Sequence, residues 1–204
     1  MAENLKEYSD KRDFGHTPEP DDKASHSSDR PIFVIQKHDA STLHYDFRLE
    51  VDGVLKSWAV PKGPSTDPRE KRLAVPTEDH PLDYADFEGV IPEGEYGAGT
   101  VLVWDTGAYR NLRAEKEDDR ATMTEALQDG KLEVWLEGEK LQGGYAVIRT
   151  NTGDDERWLL VKMDDDEADA RRNPTSTEPL SVLSGRDLEE IAEAEGNTSQ
   201  DESR

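Results

Sequence analysis

The chain has 204 residues and a formal net charge of −22, because 47 acidic side chains outnumber 25 basic ones. Only 33% of the residues are hydrophobic, and no apolar run approaches the ~20 residues of a membrane-spanning helix, so we expect a cytoplasmic protein without membrane contact. The lack of cysteine excludes disulfides and thiolate metal sites, which leaves histidine and carboxylate as metal ligands. The acidity argues against a broadly basic DNA-binding face, so the local charge distribution must decide.

Apolar residues are concentrated in the middle of the chain. Residues 1–30 are polar and predict an N-terminal arm without a core of its own. Residues 31–163 contain about eight short apolar runs separated by Gly, Pro and Asp, which predict a mainly β fold, a small antiparallel β-barrel with a few short helices. We expect helices at residues 119–128 and after Asp187. The acidic residues 164–204 predict a largely disordered C-terminal tail.

The most informative segment is the predicted hairpin that contains His38 and His44. Side chains alternate faces along a strand, so the odd residues from 43 to 51 form an apolar face and the even residues form an ionisable one. A turn at residues 39–42 returns His38 beside His44, with Asp46 on the same face. Two imidazoles and a carboxylate suit Mn²⁺, Fe²⁺ or Zn²⁺. We place this group at the floor of the barrel.

A second predicted strand, at residues 71–80, repeats the pattern. Arg72, Glu78 and His80 have the same parity, and Pro76 between them suits a sheet edge or a bulge. Lys62 lies in a proline-bounded turn within a local basic cluster, as a phosphate-bearing substrate requires. The glycine-rich residues 87–104 lead into a strand and not a helix, so we interpret them as tight turns near the site and not as a nucleotide-binding loop.

Three segments, residues 11–20, 33–65 and 71–105, resemble the phosphoesterase domain of bacterial DNA ligase D and its stand-alone archaeal and bacterial relatives. The resemblance is carried by His38-x5-His44-x-Asp46-x-Arg48 and a later Glu-Asp-His. It implies a Mn²⁺-dependent enzyme, also served by metals such as Co²⁺, that removes 3′-terminal ribonucleosides and 3′-phosphates in double-strand break repair. The implied partners are primer–template 3′ ends, of DNA or tipped with RNA, with a separate DNA ligase, a polymerase and end-binding repair proteins. We expect a monomer.

The resemblance also implies a role for each matching residue. Metal ligation falls to His38, His44 and Asp46. The remaining matches hold the scissile phosphate (Arg48, Arg72 and His80, assisted by Lys62), complete the site (Glu78 and Tyr84), or lie in an arm folded over it (Arg12, Asp13 and Glu19). Within this set we expect His80 to protonate the leaving 3′-oxygen.

Two other functions remain open on the sequence alone. His44 and Asp46 with His80 spell the two-His, one-carboxylate triad of non-haem Fe(II) oxygenases, although this leaves His38 and the basic cluster without a role. A non-catalytic barrel that binds nucleic-acid ends or ligase partners would also explain ionisable strand faces. Oxygen-dependent consumption of 2-oxoglutarate distinguishes the oxygenase, and cleavage of a primer 3′ end in Mn²⁺ separates the phosphoesterase from the non-catalytic barrel.

Overall fold

The computed structural model describes residues 5–22 and 29–201, without the side chains of residues 196–201. Nine strands form one antiparallel sheet, and the elements in chain order are α1 (Lys6–Asp10), β1 (Ile32–Asp39), β2 (Leu43–Val51), β3 (Val54–Val60), β4 (Lys71–His80), a 3₁₀ turn (Leu82–Asp86), β5 (Gly89–Ile91), β6 (Gly99–Asn111), α2 (Met123–Asp129), β7 (Lys131–Gly138), β8 (Gln142–Asn151), β9 (Arg157–Lys162), α3 (Pro174–Thr177) and α4 (Leu188–Asp201). Within these described residues, no helix is long and apolar enough to cross a membrane.

Eight of the strands close into a barrel, which confirms the predicted fold. Their order is β1-β2-β3-β4-β9-β8-β7-β6, and pairing of β1 with β6 closes the ring, while β5 adds to the end of β6. All eight strands contribute to one buried cluster, which includes Phe47, Trp58 and Trp104. Barrels of this size are filled by side chains, so this cluster is the interior of the barrel.

A second apolar cluster lies on the outer wall. It joins Val34 of β1 and Leu55 of β3 to Tyr8 of α1 and Tyr84 of the 3₁₀ turn. Because Val34 pairs with Arg48, the ionisable face of β2 is also on the outer wall, under the arm. The site is therefore not at the floor of the barrel: alternation in the sequence separates two faces but does not tell which one the barrel encloses.

Helix α2 begins later than expected, at Met123. Thr122 caps it, since its hydroxyl accepts from the Glu125 amide while the Glu125 carboxylate accepts from the Thr122 amide. Met123 and Leu127 pack against the interior cluster, as their spacing predicts, and Gly130 ends the helix in the left-handed conformation, with φ 76°.

The expectation of a largely disordered tail is wrong for residues 164–191, which pack on the barrel. The amide of Val182 donates to the carbonyl of Val103 (3.0 Å), and the indole of Trp104 donates to the carbonyl of Glu178 (2.8 Å). Ile191 of α4 is 1% exposed and joins the interior cluster. A few hydrogen bonds and buried apolar side chains therefore hold this segment on the barrel, although its average composition is typical of disordered chains. Residues 202–204 lie outside the described residues.

Candidate functional site

The β1–β2 hairpin brings together the three expected metal ligands. His38 and His44 are directly opposite each other, and Asp46 is two residues further along the same face. One ligand atom from each residue can be chosen so that all three lie within 4.8 Å of one another. The Asp46 Oδ2 atom is 3.6 Å from both His38 Nδ1 and His44 Nε2, which is longer than a hydrogen bond.

Backbone carbonyls orient both imidazoles. His38 Nε2 donates to the carbonyl of Gly97 (2.8 Å), and His44 Nδ1 donates to the carbonyl of Thr42 (2.9 Å). A carbonyl can only accept, so these nitrogens carry protons and the opposite nitrogen of each ring faces Asp46. Metal-ligating histidines show this arrangement, in which the second ring nitrogen is held by a carbonyl or carboxylate. The three residues therefore fit a divalent transition metal.

Burial and neighbouring charges set the protonation of this group. Burial disfavours a charged carboxylate, but Arg48, with Nη2 3.3 Å from Oδ2, and the two imidazoles hold the pKa of Asp46 well below its usual range. Burial also favours neutral His44, but the Asp46 carboxylate outweighs it and raises the pKa of His44. A metal ion would therefore compete with a proton for His44.

A buried guanidinium adjoins the metal group. Arg48 is 3% exposed, and its Nε donates to Gln36 Oε1 (2.8 Å). The Gln36 amide in turn donates to the carbonyls of Tyr84 (2.9 Å) and Phe87 (3.1 Å). Gln36 was not among the expected site residues, although its position two residues before His38, on the same face of β1, could have identified it.

A β-bulge places His80 beside Arg48. Ser57 of β3 pairs with Thr77 of β4, and Leu55 pairs with His80. The two pairs are two residues apart on β3 but three residues apart on β4, so β4 contains one extra residue. Residues directly opposite share a face, and Ser57 also faces Arg48, so the bulge turns His80 towards the site. His80 Nδ1 is 3.0 Å from Arg48 Nη1, which can only donate, and 2.9 Å from the carbonyl of Glu78, which can only accept, so the tautomer of the ring decides which of the two it bonds; Nε2 is left for a ligand.

The protonation of His80 differs from expectation. Burial, followed by the charges of Arg48 and Arg12, holds the pKa of His80 well below its ordinary value. In the substrate-free site the imidazole is thus neutral near pH 7 and lacks the second proton that a general acid delivers. This weighs against the expected role of His80 in protonating the leaving 3′-oxygen.

The arm closes the site from above through a chain of buried polar groups. Arg12 Nε bonds Glu19 (2.9 Å), and Arg12 Nη1 bonds Glu78 (3.2 Å). The Tyr84 hydroxyl donates to Glu19 (3.0 Å). Arg12, Glu78 and Tyr84 line the same pocket as the metal group, so the structure gathers these residues of the arm, β4 and the 3₁₀ turn around one cavity.

Three expected site residues lie elsewhere. The bulge reverses the parity of β4, so Arg72 points away from His80; with Lys62 and Glu70 it lines a separate cavity, and its Nη2 pairs with Glu70 (2.5 Å). Asp13 is exposed and pairs with His16 (3.1 Å). The structure therefore does not bring Lys62, Arg72 or Asp13 into the pocket.

The structure does not bring His44, Asp46 and His80 together as the triad of a non-haem iron oxygenase. In the part of the chain that the structure describes, the group whose ligand atoms converge contains His38, not His80. His80 contacts Arg48 instead. The second imidazole is therefore supplied by the neighbouring strand of the hairpin.

Comparison with known proteins gives the family. A model of the DNA ligase D 3′-phosphoesterase domain matches residues 36–149, more than half of the chain. The multifunctional non-homologous end joining protein LigD of Pseudomonas aeruginosa is 54% identical over 189 residues, which is 90% of this chain and 22% of that protein. Its Mycobacterium tuberculosis and Mycolicibacterium smegmatis counterparts are 48% and 45% identical, over 80% and 81% of this chain and 20% and 21% of their own length. The chain thus spans about a fifth of the length of these curated relatives. This chain belongs to the DNA ligase D 3′-phosphoesterase domain family.

Proposed function

We propose that this chain is a metal-dependent phosphoesterase that heals DNA 3′ ends for non-homologous end joining. It removes a 3′-terminal ribonucleoside to leave a 3′-phosphate, and then removes that phosphate to leave a 3′-OH for ligation. The observation that carries the proposal is the convergence of His38, His44 and Asp46 beside the buried guanidinium of Arg48. The family's description, and the relatives' names in end joining, support the substrate class.

His38, His44 and Asp46 are the proposed metal ligands, and Mn²⁺ is the proposed ion, with Co²⁺ as a substitute. Nitrogen and carboxylate donors without thiolate suit such ions. The bound ion supplies Lewis acidity towards a phosphoryl oxygen. Everything else in the mechanism falls to side chains of the chain itself.

Arg48 is the proposed phosphate clamp. A guanidinium has five N–H donors; Nε donates to Gln36, while Nη1 lies 3.0 Å from His80 Nδ1 and Nη2 lies 3.3 Å from Asp46 Oδ2, so these contacts occupy at most one N–H on each nitrogen. One N–H on each terminal nitrogen remains, and this pair forms the fork that binds two phosphoryl oxygens. Because Gln36 fixes Nε, the fork is oriented before substrate arrives, which favours stabilisation of the charge that develops during transfer.

We propose that His80 positions the phosphate and does not act as the general acid. Its neutral imidazole packs against Arg48 and offers Nε2 to the pocket. Glu78 and Tyr84 hold Arg12 and Glu19 of the arm over the cavity. We propose that the arm thereby excludes water from the reacting phosphate, which strengthens every charge interaction inside.

An end-cleavage assay tests the proposal. A 5′-labelled primer–template that ends in a ribonucleotide or a 3′-phosphate is incubated with Mn²⁺, Co²⁺ or EDTA, and the products are separated by gel. We expect conversion to 3′-OH ends with either metal, none in EDTA, and loss of both reactions in His44→Ala. His16→Ala removes an exposed histidine of the arm and is the matched control.

The assay has two outcomes against the proposal. Undiminished cleavage by His44→Ala would place the chemistry outside the hairpin. Binding of 3′ ends without cleavage in any metal would favour the non-catalytic end-binding barrel. We further propose that the chain works as a monomer with a separate ligase, polymerase and end-binding proteins, and sedimentation of the chain with and without DNA tests the monomer.

A further inference from the structure

One exposed aromatic side chain stands at the rim of the pocket. Tyr96 is 47% exposed and lines the same cavity as the metal group. Of the large hydrophobic side chains that are exposed in residues 5–22 and 29–201, it is the one that lines this cavity. The ring therefore lies outside the packed core, with about half of its surface open to solvent.

The loop that carries Tyr96 is fixed to the metal group. The amides of Glu95 and Ala98 bond back to the carbonyls of Pro92 and Glu95, at 3.2 Å each, so two successive turns hold the segment. The next residue, Gly97, has a φ of 77°, and its carbonyl accepts from His38 Nε2 (2.8 Å). The position of the ring is therefore coupled to the position of a proposed metal ligand.

The ring also borders the phosphate side of the pocket. The Tyr96 hydroxyl lies 3.5 Å from Glu78 Oε2, and Glu78 Oε1 lies 4.0 Å from His80 Nε2. The ammonium of Lys11 lies over the ring, 4.5 Å from its centroid, and the guanidinium carbon of Arg12 lies 5.6 Å from the same centroid. An aromatic face next to basic side chains is the combination by which proteins hold single nucleic-acid strands.

The cavity is small for a whole nucleotide. Its volume is about 270 Å³, below the roughly 300–1,000 Å³ of pockets that enclose a drug-sized ligand. The terminal phosphoryl group fits within it, but the attached nucleoside has to lie at the rim. Tyr96 is the aromatic side chain available there.

We propose that Tyr96 is the stacking platform for the base of the nucleoside whose 3′-oxygen carries the reacting phosphate. This nucleoside is common to removal of a 3′-ribonucleoside and removal of a 3′-phosphate, so one platform serves both reactions. Stacking tolerates any base, which matches an enzyme that acts on ends of any sequence. The inference rests on the proposed phosphoesterase function and adds a positioning residue to it.

A comparison of normal and abasic ends tests the proposal. Two 3′-phosphate primers are used, one with a normal terminal nucleoside and one with a tetrahydrofuran abasic residue in its place. Tyr96→Ala raises KM for the normal end by about 5-fold to 150-fold, the usual worth of one stacked base, and leaves KM for the abasic end unchanged. Tyr96→Phe behaves as wild type, and Leu183→Ala, an exposed apolar residue away from the pocket, is the matched control.

Two kinetic results would overturn the inference. Equal impairment of both substrates in Tyr96→Ala would mean that the ring does not contact the base. A loss in Tyr96→Phe as large as in Tyr96→Ala would assign the effect to the hydroxyl near Glu78 and not to stacking.

A binding measurement separates this inference from the proposed function. A primer that ends in 2-aminopurine with a 3′-OH, the product of the reaction, is bound in Mn²⁺ without turnover. The anisotropy of a 5′ label shows when binding is saturated. At saturation, the wild-type protein should quench the 2-aminopurine fluorescence, and Tyr96→Ala should not. Quenching by a protein that cleaves no 3′ end would refute the phosphoesterase and keep the platform, whereas cleavage with equal quenching in both proteins would refute the platform alone.

Discussion

Replacement of Arg48 by Met is the most direct test of how the site is held together. The guanidinium is 3% exposed; it forms an ion pair with Asp46 (3.3 Å), donates to Gln36 (2.8 Å) and lies 3.0 Å from His80 Nδ1. Met retains most of the apolar stem, so the change removes the charge and the donors and leaves only a small cavity. The buried carboxylate of Asp46 then loses its main counter-charge, and Gln36 Oε1 loses its donor.

The expected cost is large for a single side chain. Breaking a buried ion pair by removing one partner costs about 3–5 kcal/mol, and an orphaned buried acceptor adds about 1–3 kcal/mol. His38 and His44 remain beside Asp46 and offset part of this. We therefore expect the free energy of unfolding to fall by about 3–5 kcal/mol, against a total of about 5–15 kcal/mol for a domain.

Urea unfolding in EDTA at pH 7 measures this loss. Arg69→Met is the matched control, because Arg69 pairs with Asp67 at 2.8 Å but its side chain is 81% exposed, so the midpoint should hardly move. The double variant Asp46→Asn/Arg48→Met should be more stable than Arg48→Met alone, since no buried charge is left unpaired. Equal costs for the two arginines, or no recovery in the double variant, would refute the reasoning.

The pH dependence supplies a second signature of the same pair. The folded pKa of Asp46 is depressed, so its contribution is present above the unfolded value of about 3.9 and is lost as the pH falls through the folded pKa. The difference in stability between wild type and Arg48→Met should therefore narrow in acid. A difference that stays constant down to acid unfolding would assign the loss to packing and not to charge.

Three further predictions concern the metal and the C-terminal segment. Mn²⁺ at about 100 times its Kd should stabilise the protein by about 2.7 kcal/mol, which raises Tm by roughly 5–10 °C, and His44→Ala should abolish this shift in a thermal melt. The pKa of His44 is raised in the metal-free protein, so protonated His44 stabilises that protein below about pH 6.5, and this stability is lost as the pH rises through the raised pKa. The Mn²⁺-induced shift in Tm should therefore grow across this pH range and then level off. A shift that shrinks with rising pH would contradict the proposed ligands. Ile191→Ala should lower the free energy of unfolding by about 2–5 kcal/mol, measured in urea against Leu183→Ala, and equal small effects would show that α4 does not pack as described.

The strict alternation of apolar and ionisable residues along β2 allowed the sequence to predict the central residues of the site. Tyr45, Phe47 and Leu49 are buried in the interior cluster, while His44, Asp46 and Arg48 line the pocket. A short turn then fixed the register, so that His38 faces His44. Leu43 is the exception on the apolar face, at 43% exposed, because it lies at the start of the strand, beyond the cover of the core.

Alternation failed where the strand is irregular. Parity counted from His80 assigns Arg72 to the site, but the bulge in β4 inserts one residue and reverses the faces. Pro76 indicated an irregularity without fixing its place. The pairing of β4 with β9 ends at Ala74, so Pro76 lies where the strand has an open edge, as expected. Odd and even residue numbers therefore predict the two faces of a strand only up to its first bulge.

The charge of the site reconciles an acidic protein with a phosphate substrate. Around the pocket, two buried guanidiniums face three buried carboxylates, and these are Arg12, Arg48, Asp46, Glu19 and Glu78. With the ammonium of Lys11, 3.4 Å from Glu78 Oε2, these formal charges sum to zero; a divalent ion would change the sum to two net positive charges, which attract a phosphate. The net charge of −22 belongs to the whole chain, and the part of it beyond the pocket is screened over about 10 Å at 0.1 M salt. In the proposed mechanism, affinity for a 3′-phosphate is therefore decided within the pocket and depends on the ion, so the acidity of the chain does not oppose the proposed function.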